Sequence, residues 1–316
     1  MTKRTRPRFG SLQYWPRKRA RKALPRVNWD NVRGAGSANE GLLGFIGYKV
    51  GMASAVVKDE TDKSMTKGKK IVIPVTILEV PKMKIFSVRF YNKGNISKEV
   101  VVSNERILKK KVKVPKEAKK LDGDYNYDEI RLIMYSSMGK GRFKKSPDLA
   151  EIAFNGENAL EKVKTLIGKE ISVSDILKWQ LVDVRGLTRG KGLQGPVKRF
   201  GITLKAHKSE KGVRRPGSLG PWHPARVTFR VPMSGQLGMF SRITHNSNVI
   251  KLGNVSEEGK DINKKEGFSN YGMVRGDYVI LAGSIQGPVK RQVMLTPASR
   301  PTKSQAKKKL ELLELR

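Results

Sequence analysis

The sequence predicts a mainly β protein with two short helices. Three early runs are rich in β-branched and aromatic residues and lie between turn-forming clusters, at 41–60, 71–80 and 83–91. Such runs are typical of strands. In the third run Phe86, Val88 and Phe90 occupy alternate positions, which predicts a strand that buries these three side chains on one face. We expect the three runs to form the first half of a β body.

Later elements follow from shorter patterns. Strands are predicted at 128–135, Asn248–Gly253, Tyr278–Ala282 and after the turn GSIQGP. Leu160, Val163 and Ile167 have the spacing of one helical face, which predicts a helix over Glu157–Ile167. A second short helix is expected near Ser174. The run LELLELR at the C-terminus is expected to be a frayed tail or, through Leu310 and Leu313, one docked helical turn.

The charge of the chain points to a polyanionic partner. Its 65 Lys and Arg against 28 Asp and Glu give a net charge of +37, and a compact protein of this size avoids such self-repulsion unless a polyanion neutralises it. Nucleic acid is favoured over an anionic membrane surface, because no apolar run approaches the ~20 residues that span a bilayer. Without cysteines and without a secretory signal, the protein is expected in the cytoplasm.

The basic residues are concentrated in two segments. Asp183–Arg242 is rich in Gly, Pro, Lys and Arg, with Asp183 and Glu210 as its acids. Residues 1–26 hold ten basic residues, no acid and three aromatic residues. In isolation this arm is expected to be disordered, and on a polyanion it is expected to become ordered. From Asp148 to Asp183 acids outnumber bases by seven to four, so we expect this region to face away from nucleic acid or toward a protein neighbour.

A glycine pattern raises a nucleotide hypothesis. Gly190, Gly192 and Gly195 satisfy G-x-G-x-x-G, but a dinucleotide site also needs a helix immediately after the glycines and a carboxylate on a strand about 20 residues later. Pro196 begins a segment that is too short for that helix, and Glu210 lies in no predicted strand. Two interpretations remain: an ordinary turn, and a backbone that approaches a sugar–phosphate chain closely because it lacks Cβ atoms.

Catalysis finds little support in the sequence. His207, His223 and His245 have spacings that match no short metal-ligand motif, and the surrounding region lacks the clustered carboxylates that would hold Mg²⁺. We therefore expect no enzyme activity, no metal and no cofactor. Trp222 stands on a proline-stiffened turn, LGPWHP, among basic residues. It is either part of a small satellite core or an exposed tip that stacks on a base or on a guanidinium plane.

Four motifs occur together and in order: GLLGFIGYKVGM, DVRGLTRGKGLQGPVKRFG, RRPGSLGPWHPARV followed by SGQLG, and GSIQGPVKRQVMLTP. Together they resemble the signatures of the large-subunit ribosomal protein three family in its archaeal and eukaryotic form, and the chain length favours the archaeal form. Ser234 stands where relatives commonly have Ala. Residues 239–241 also depart from an aromatic-then-polar pattern.

The resemblance implies a translation-factor-type β-barrel interrupted by an inserted α/β region, and binding to large-subunit ribosomal RNA among neighbouring ribosomal proteins. It also implies that the loop bearing Trp222 approaches the aminoacyl-tRNA accommodation region near the peptidyl transferase centre. The corresponding divisions are 1–40 (basic extension), 41–95 (first part of the barrel), 96–180 (insertion), 181–200 (barrel strand and start of the RNA-binding extension), 201–245 (finger loop), 246–298 (rest of the barrel) and 299–316 (basic tail).

Basic, aromatic and hydrogen-bonding side chains of the two basic segments are the expected RNA contacts. They are Arg4, Arg6, Arg8, Trp15, Arg17, Lys18, Arg19, Arg21, Lys22, Arg189, Lys191, Lys198, Arg199, His207, Lys208, Arg214, Arg215, Trp222, His223, Arg226, Gln236 and Arg242. Close backbone approach to RNA is expected at Gly190, Gly192, Gly195 and Gly235. The alternatives are another RNA- or DNA-binding protein, such as a chromatin or RNA-maturation factor, and a nucleotide-dependent enzyme.

Overall fold

The computed structural model describes residues 8–35, 40–123, 125–137, 139, 143–208, 212–257 and 261–316. The chain divides into two compact units. Unit 1 consists of Met1–Ala23 and Leu187–Ser241, and unit 2 consists of Leu24–Gly186 and Arg242–Arg316. Within the described ranges, no helix combines the length and the hydropathy needed to cross a membrane.

The described chain is mainly β, as predicted. Its strands are β1 Gly41–Leu42, β2 Phe45–Asp59, β3 Lys70–Glu79, β4 Met83–Asn92, β5 Asn95–Val101, β6 Glu129–Ser136, β7 Leu149–Asn155, β8 Leu181–Leu187, β9 Leu193–Gln194, β10 Gly235–Gln236, β11 Ser241–Asn254, β12 Asp277–Ala282, β13 Gln292–Pro297 and β14 Leu310–Leu315. Its helices are α1 Trp29–Ala35, α2 Ala159–Leu166, α3 Val173–Ile176, α4 Pro196–Phe200 and α5 Lys303–Ala306, with a 3₁₀ turn at Arg106–Lys110.

The larger sheet of unit 2 has the strand order β13-β8-β11-β12-β3-β2-β14. β13 also pairs with β2, through Gln292–Leu295 opposite Phe45–Tyr48, so the hydrogen-bonded path through six strands returns to its start. Buried side chains from several of these strands, among them Phe45, Val184 and Leu281, belong to the main hydrophobic core. A second buried cluster, which includes Val57 and Tyr278, lies among β2, β3 and β12.

The second sheet of unit 2 has five strands in the order β1-β7-β6-β4-β5. β4 pairs with β5 and β6, so it belongs to this sheet, and the boundary predicted at residue 95 separates two paired strands. The predicted helix 157–167 is present as the shorter α2, with Val163 buried in the core. The expected second helix is α3, whose N-terminus is capped by Ser172.

The predicted face of β4 is wrong at one residue. The register between β4 and β6 shifts between Ile85 and Ser87, which leaves Phe86 as an extra residue. A β-bulge of this kind turns the following side chains to the other face. Consequently Phe86 packs with Leu108 and Tyr135 in a separate cluster, whereas Val88 and Phe90 enter the main core. Both faces of the strand are therefore covered, which an alternation of residue types does not reveal.

The expected frayed or helical C-terminus is also wrong. α5 is followed by β14, which pairs with β2 from Leu310 opposite Asp59 to Leu315 opposite Ala55. Leu310, Leu312 and Leu315 pack against the second cluster. The register shifts between Leu312 and Glu314, so the leucines do not follow the strict alternation that signals a strand in a sequence.

A buried carboxylate joins the two strands whose chain continues into unit 1. Asp183 of β8 is fully buried, and its carboxylate accepts hydrogen bonds from the Asn246 backbone N–H (3.0 Å) and from the Ser299 N–H (3.1 Å) and hydroxyl (2.7 Å). His245 Nδ1 lies 2.9 Å from the same carboxylate. Burial raises the pKa of Asp183, but these hydrogen bonds outweigh it, so the pKa lies below its ordinary value.

Two acids of the segment expected to form an acidic surface are thus interior. Asp148 is buried as well, where it accepts a hydrogen bond from the Tyr48 hydroxyl (2.7 Å) and contacts the Lys144 ammonium. Burial and the nearby Asp148 charge strongly raise the pKa of Tyr48. These acids serve the fold of unit 2.

We predict that Asp183→Asn lowers the free energy of unfolding of the protein by about 2 kcal/mol or more, because an amide places a donor where several donors converge. The lowered folded-state pKa means that the stabilisation by Asp183 is complete above the ordinary value of 3.8 and is lost as pH falls below it. The difference between variant and wild type, measured by urea denaturation, should therefore shrink between about pH 5 and pH 3.

Asp62→Asn is the matched control, because Asp62 is an exposed acid that pairs with Lys67. Its effect should stay within about 1 kcal/mol. Equal stability of Asp183→Asn and wild type at pH 7 would show that the cluster contributes nothing.

Candidate nucleic-acid interface

Unit 1 combines a large positive charge with a very small core. It holds twenty Lys and Arg against one acid, Glu210, which gives about half of the chain's net charge of +37 in 78 of 316 residues. Its described residues bury only three hydrophobic side chains below one-tenth exposure: Leu187, Phe200 and Phe240. A unit with so little apolar burial and so much like charge needs a polyanion to offset its repulsion.

The described part of the N-terminal arm packs along the segment 187–241. The Phe9 N–H donates to the Phe200 carbonyl (2.7 Å), and the Ala20 N–H donates to the Met239 carbonyl (2.9 Å). The expectation that the arm is disordered in isolation and ordered on a polyanion did not include these partners, because they lie more than 190 residues away in the sequence.

Phe200 is the centre of this packing. The guanidinium carbons of Arg8, Arg17 and Arg199 lie 4.5, 4.8 and 5.0 Å from its ring centroid. Arg199 also donates to the carbonyls of Gln236 (3.0 Å) and Met233 (2.9 Å). Burial lowers the pKa of Arg199, and the nearby Arg8 charge lowers it further. Three like charges therefore share one aromatic ring, an arrangement that an anion would stabilise.

The glycine-rich segment forms a compact backbone pairing. The Lys191 N–H donates to the Leu237 carbonyl, and the Leu237 N–H donates to the Gly192 carbonyl, both at 2.9 Å. Gly238 has a φ of +79°, and a Cβ there would collide with the Arg189 carbonyl oxygen. The glycine motif that resembled a dinucleotide fingerprint is thus one of two chain segments whose backbones lie close together within the protein.

Two of the glycines expected to approach RNA also pack closely within unit 1. A Cβ on Gly190 would lie 2.9 Å from Met239, and one on Gly235 would lie 2.9 Å from the Arg199 guanidinium. Gly192 and Gly195 have no neighbour within 4 Å of that position, so close approach from outside is sterically open there. Met239 and Phe240, which depart from the family pattern, fill internal positions.

The helix that follows the glycines is too short for a dinucleotide site. α4 spans five residues, Pro196–Phe200, and is followed by the C-cap Gly201, which has a φ of +62°. Glu210, the carboxylate considered for the ribose, lies outside the described residues.

Most predicted contact residues lie at the surface. The exposed ones are Trp15, Lys18, Arg19, Arg21, Lys22, Arg189, Lys191, Lys198, His207, Lys208, Arg214, Arg215, Trp222, His223 and Arg226. Arg8, Arg17, Arg199, Gln236 and Arg242 are half-buried, and Arg242 belongs to unit 2. Arg4 and Arg6 lie outside the described residues.

The satellite-core interpretation of Trp222 is wrong, because 88% of its surface is exposed. An indole has a large apolar area, so an exposed one on a stiff turn is typical of a contact that a partner completes. The sequence did not single out Phe229, which is half exposed and lies 5.4 Å from Trp15 between ring centroids. The position of Phe229 in a basic and aromatic stretch is the signal that could have identified it as a contact residue.

The three histidines are divided between the two units. His245 contacts Asp183 in unit 2, whereas His207 and His223 belong to unit 1. In the part of the chain that the structure describes, no three His, Asp or Glu side chains are grouped as metal ligands.

A β-rich unit joined to a basic, aromatic unit with a minimal core defines a class of protein that binds a nucleic acid over an extended surface. The chain matches the model of the family described as Ribosomal protein L3 over residues 1–104 and 103–316. It is 41% identical to large ribosomal subunit protein uL3 of Archaeoglobus fulgidus, covering 95% of this chain and 93% of the relative. The corresponding protein of Methanocaldococcus jannaschii is 37% identical, covering 94% and 92%.

This chain therefore belongs to the ribosomal protein L3 family. The resemblance that the four motifs indicated is confirmed, and it extends over nearly the whole chain.

We predict that Gly238→Ala disrupts the backbone pairing of the glycine-rich segment, because Ala adds a collision with Arg189 and is strained at positive φ by about 1 kcal/mol or more. In the full chain bound to RNA, hydrogen exchange at the amides of Lys191 and Leu237 should become at least several-fold faster. Gly217→Ala is the control, since its Cβ would meet no atom within 4 Å. Unchanged exchange in Gly238→Ala would contradict this role.

Proposed function

We propose that this protein is a structural, non-enzymatic component of the large ribosomal subunit in the cytoplasm, where it binds large-subunit ribosomal RNA and supports assembly. The observation that carries the proposal is the composition of unit 1. This unit holds half of the net charge of the chain and buries three hydrophobic side chains among its described residues. Family membership specifies the polyanion, because the relatives are named large ribosomal subunit proteins.

Recognition is mainly of RNA shape and backbone. The exposed cations of unit 1 suit phosphate oxygens, and the open backbone at Gly192 and Gly195 suits close approach to a sugar–phosphate chain. Double-stranded RNA offers little base-edge information to side chains. Base-specific contacts are therefore confined to unpaired nucleotides that reach the exposed aromatic residues.

The domain divisions follow from this proposal. The ring of six strands is a translation-factor-type β-barrel, formed by segments of 41–95, 181–200 and 246–298. The five-stranded sheet with α2 and α3 is the insertion, which begins with β4 at Met83 instead of residue 96. Residues 1–40 are the basic N-terminal extension, residues 201–245 are the finger loop, and residues 299–316 add β14 to the barrel.

We predict that the wild-type protein sediments with large subunits in a sucrose gradient at moderate salt. Arg214→Glu combined with Arg215→Glu should reduce that fraction several-fold, because two phosphate-facing cations become anions. Lys164→Glu with Lys169→Glu is the matched control. It makes the same charge change at exposed positions of unit 2, and its sedimentation should match that of the wild type.

Absence of the wild-type protein from large subunits would refute the proposal. Equal binding to duplex DNA and ribosomal RNA, with the same steep dependence on salt, would instead favour a general nucleic-acid-binding protein.

Trp222 and its loop shape the aminoacyl-tRNA accommodation region near the peptidyl transferase centre. The loop influences tRNA and elongation factors indirectly, through ribosomal RNA geometry. Its support is the 88% exposure of an indole on the LGPWHP turn within the family motif, because stacking of that ring on a base would be worth ~1–3 kcal/mol.

We predict that Trp222→Ala leaves subunit incorporation unchanged but slows aminoacyl-tRNA accommodation several-fold in single-turnover kinetics. Trp222→Phe keeps an aromatic face and should recover most of the rate. Wild-type kinetics for Trp222→Ala would exclude a functional role of the indole.

A further inference from the structure

Unit 1 contains a cavity whose lining, apart from Arg199 and Phe200, lies outside the four motifs. Its volume is about 190 Å³, and it lies between the arm and the segment 199–233. The lining residues are Arg8, Ser11, Leu12, Tyr14, Trp15, Arg17, Arg199, Phe200, Thr228, Phe229, Val231 and Met233. Since a cavity of roughly 150 Å³ admits benzene, this one has room for a single aromatic ring.

Its lining has two chemically different parts. Trp15 and Phe229 contribute aromatic rings 5.4 Å apart and inclined by 52°, with 63% and 51% of their surfaces exposed. These rings are large, apolar and incompletely covered by the protein. An incoming planar group would contact their exposed faces and remove that area from water.

The other part is cationic. Arg8, Arg17 and Arg199 line the cavity, and the residues lining it in the described structure include no Asp or Glu. The Nε–H of Arg8 is buried without a hydrogen-bond acceptor among the described atoms. A buried guanidinium donor without a partner is unfavourable, and a phosphate oxygen is the acceptor that guanidinium geometry suits best.

We propose that this cavity binds one unstacked nucleotide of RNA, with the base against Trp15 and Phe229 and its phosphate against Arg8 and Arg17. The inference rests on the proposed RNA-binding function and adds a specific single-nucleotide site to it. A cationic and aromatic cavity suits an extruded base with its phosphate. An acidic, aromatic peptide from a neighbouring protein is the competing occupant.

Ultraviolet crosslinking of large subunits that carry the wild-type protein tests the site without any substitution. Mass spectrometry should find one nucleotide attached to a peptide containing Tyr14, Trp15 or Phe229. Nucleotide adducts elsewhere in unit 1 but on none of these peptides would overturn the proposal. A crosslink from these residues to another protein would overturn it in favour of the peptide.

Base-specific chemical probing of the same subunits adds a quantitative test. One nucleotide protected by the wild-type protein should become at least 5-fold more reactive in Trp15→Ala and in Phe229→Ala, as expected for the loss of one stacking contact. Trp15→Phe should keep the protection. Leu193→Ala is the control, because Leu193 is an 81% exposed apolar residue of unit 1 outside the cavity.

The outcomes separate this proposal from the broader one. If the wild-type protein is absent from large subunits, the proposed function itself fails. If both alanine variants are incorporated and no nucleotide changes reactivity, RNA binding stands and the single-nucleotide site is refuted.

Discussion

Unit 1 carries a net charge of about +19 with three buried hydrophobic side chains among its described residues. Burial of that extent contributes only several kcal/mol, far less than the conformational entropy of ordering 78 residues. Like charges are also held together, since Arg8, Arg17 and Arg199 share the ring of Phe200. Cation–π contacts offset part of that repulsion. An external polyanion must supply the remaining stabilisation, so the folding of this unit is coupled to its binding to RNA.

Unit 2, in contrast, is stabilised by its own hydrogen bonds and hydrophobic core, so its structure is formed before RNA is bound. Six of its strands are hydrogen-bonded in an order that returns to its start, and side chains from several of them belong to the main hydrophobic core. The buried carboxylate of Asp183 in β8 binds groups from β11 and from the segment after β13. Because β8 leads into the basic segment and β11 receives the chain from it, that carboxylate fixes the position of both ends. The two ends of the basic segment are therefore already held together before RNA is bound, so the entropy cost of closing this loop does not weaken RNA binding.

Long apolar runs made most of unit 2 predictable, because burial of a strand or helix imposes a local period on the sequence. The sequence was less informative where a bulge breaks that period or where a contact depends on residues far apart in the chain. A bulge moved Phe86 to another cluster, and another irregularity concealed β14. In unit 1 the sequence identified most of the cations and Trp222 as surface residues, but it did not reveal how Gly190 and Gly235 pack within the unit. Their space is taken by Met239 and Arg199, contacts that no local pattern encodes.

The same non-local character explains why the cavity of unit 1 escapes motif analysis. Trp15 and Phe229 are more than 200 residues apart, and each alone is an unremarkable aromatic residue among basic ones. They meet only because the arm is hydrogen-bonded to the segment 187–241 through Phe9–Phe200 and Ala20–Met239. A base that contacts the exposed faces of both rings would therefore bind only the docked arm. By linkage, such a nucleotide stabilises docking by the same free energy with which docking strengthens its binding, so base capture and ordering of the arm reinforce each other.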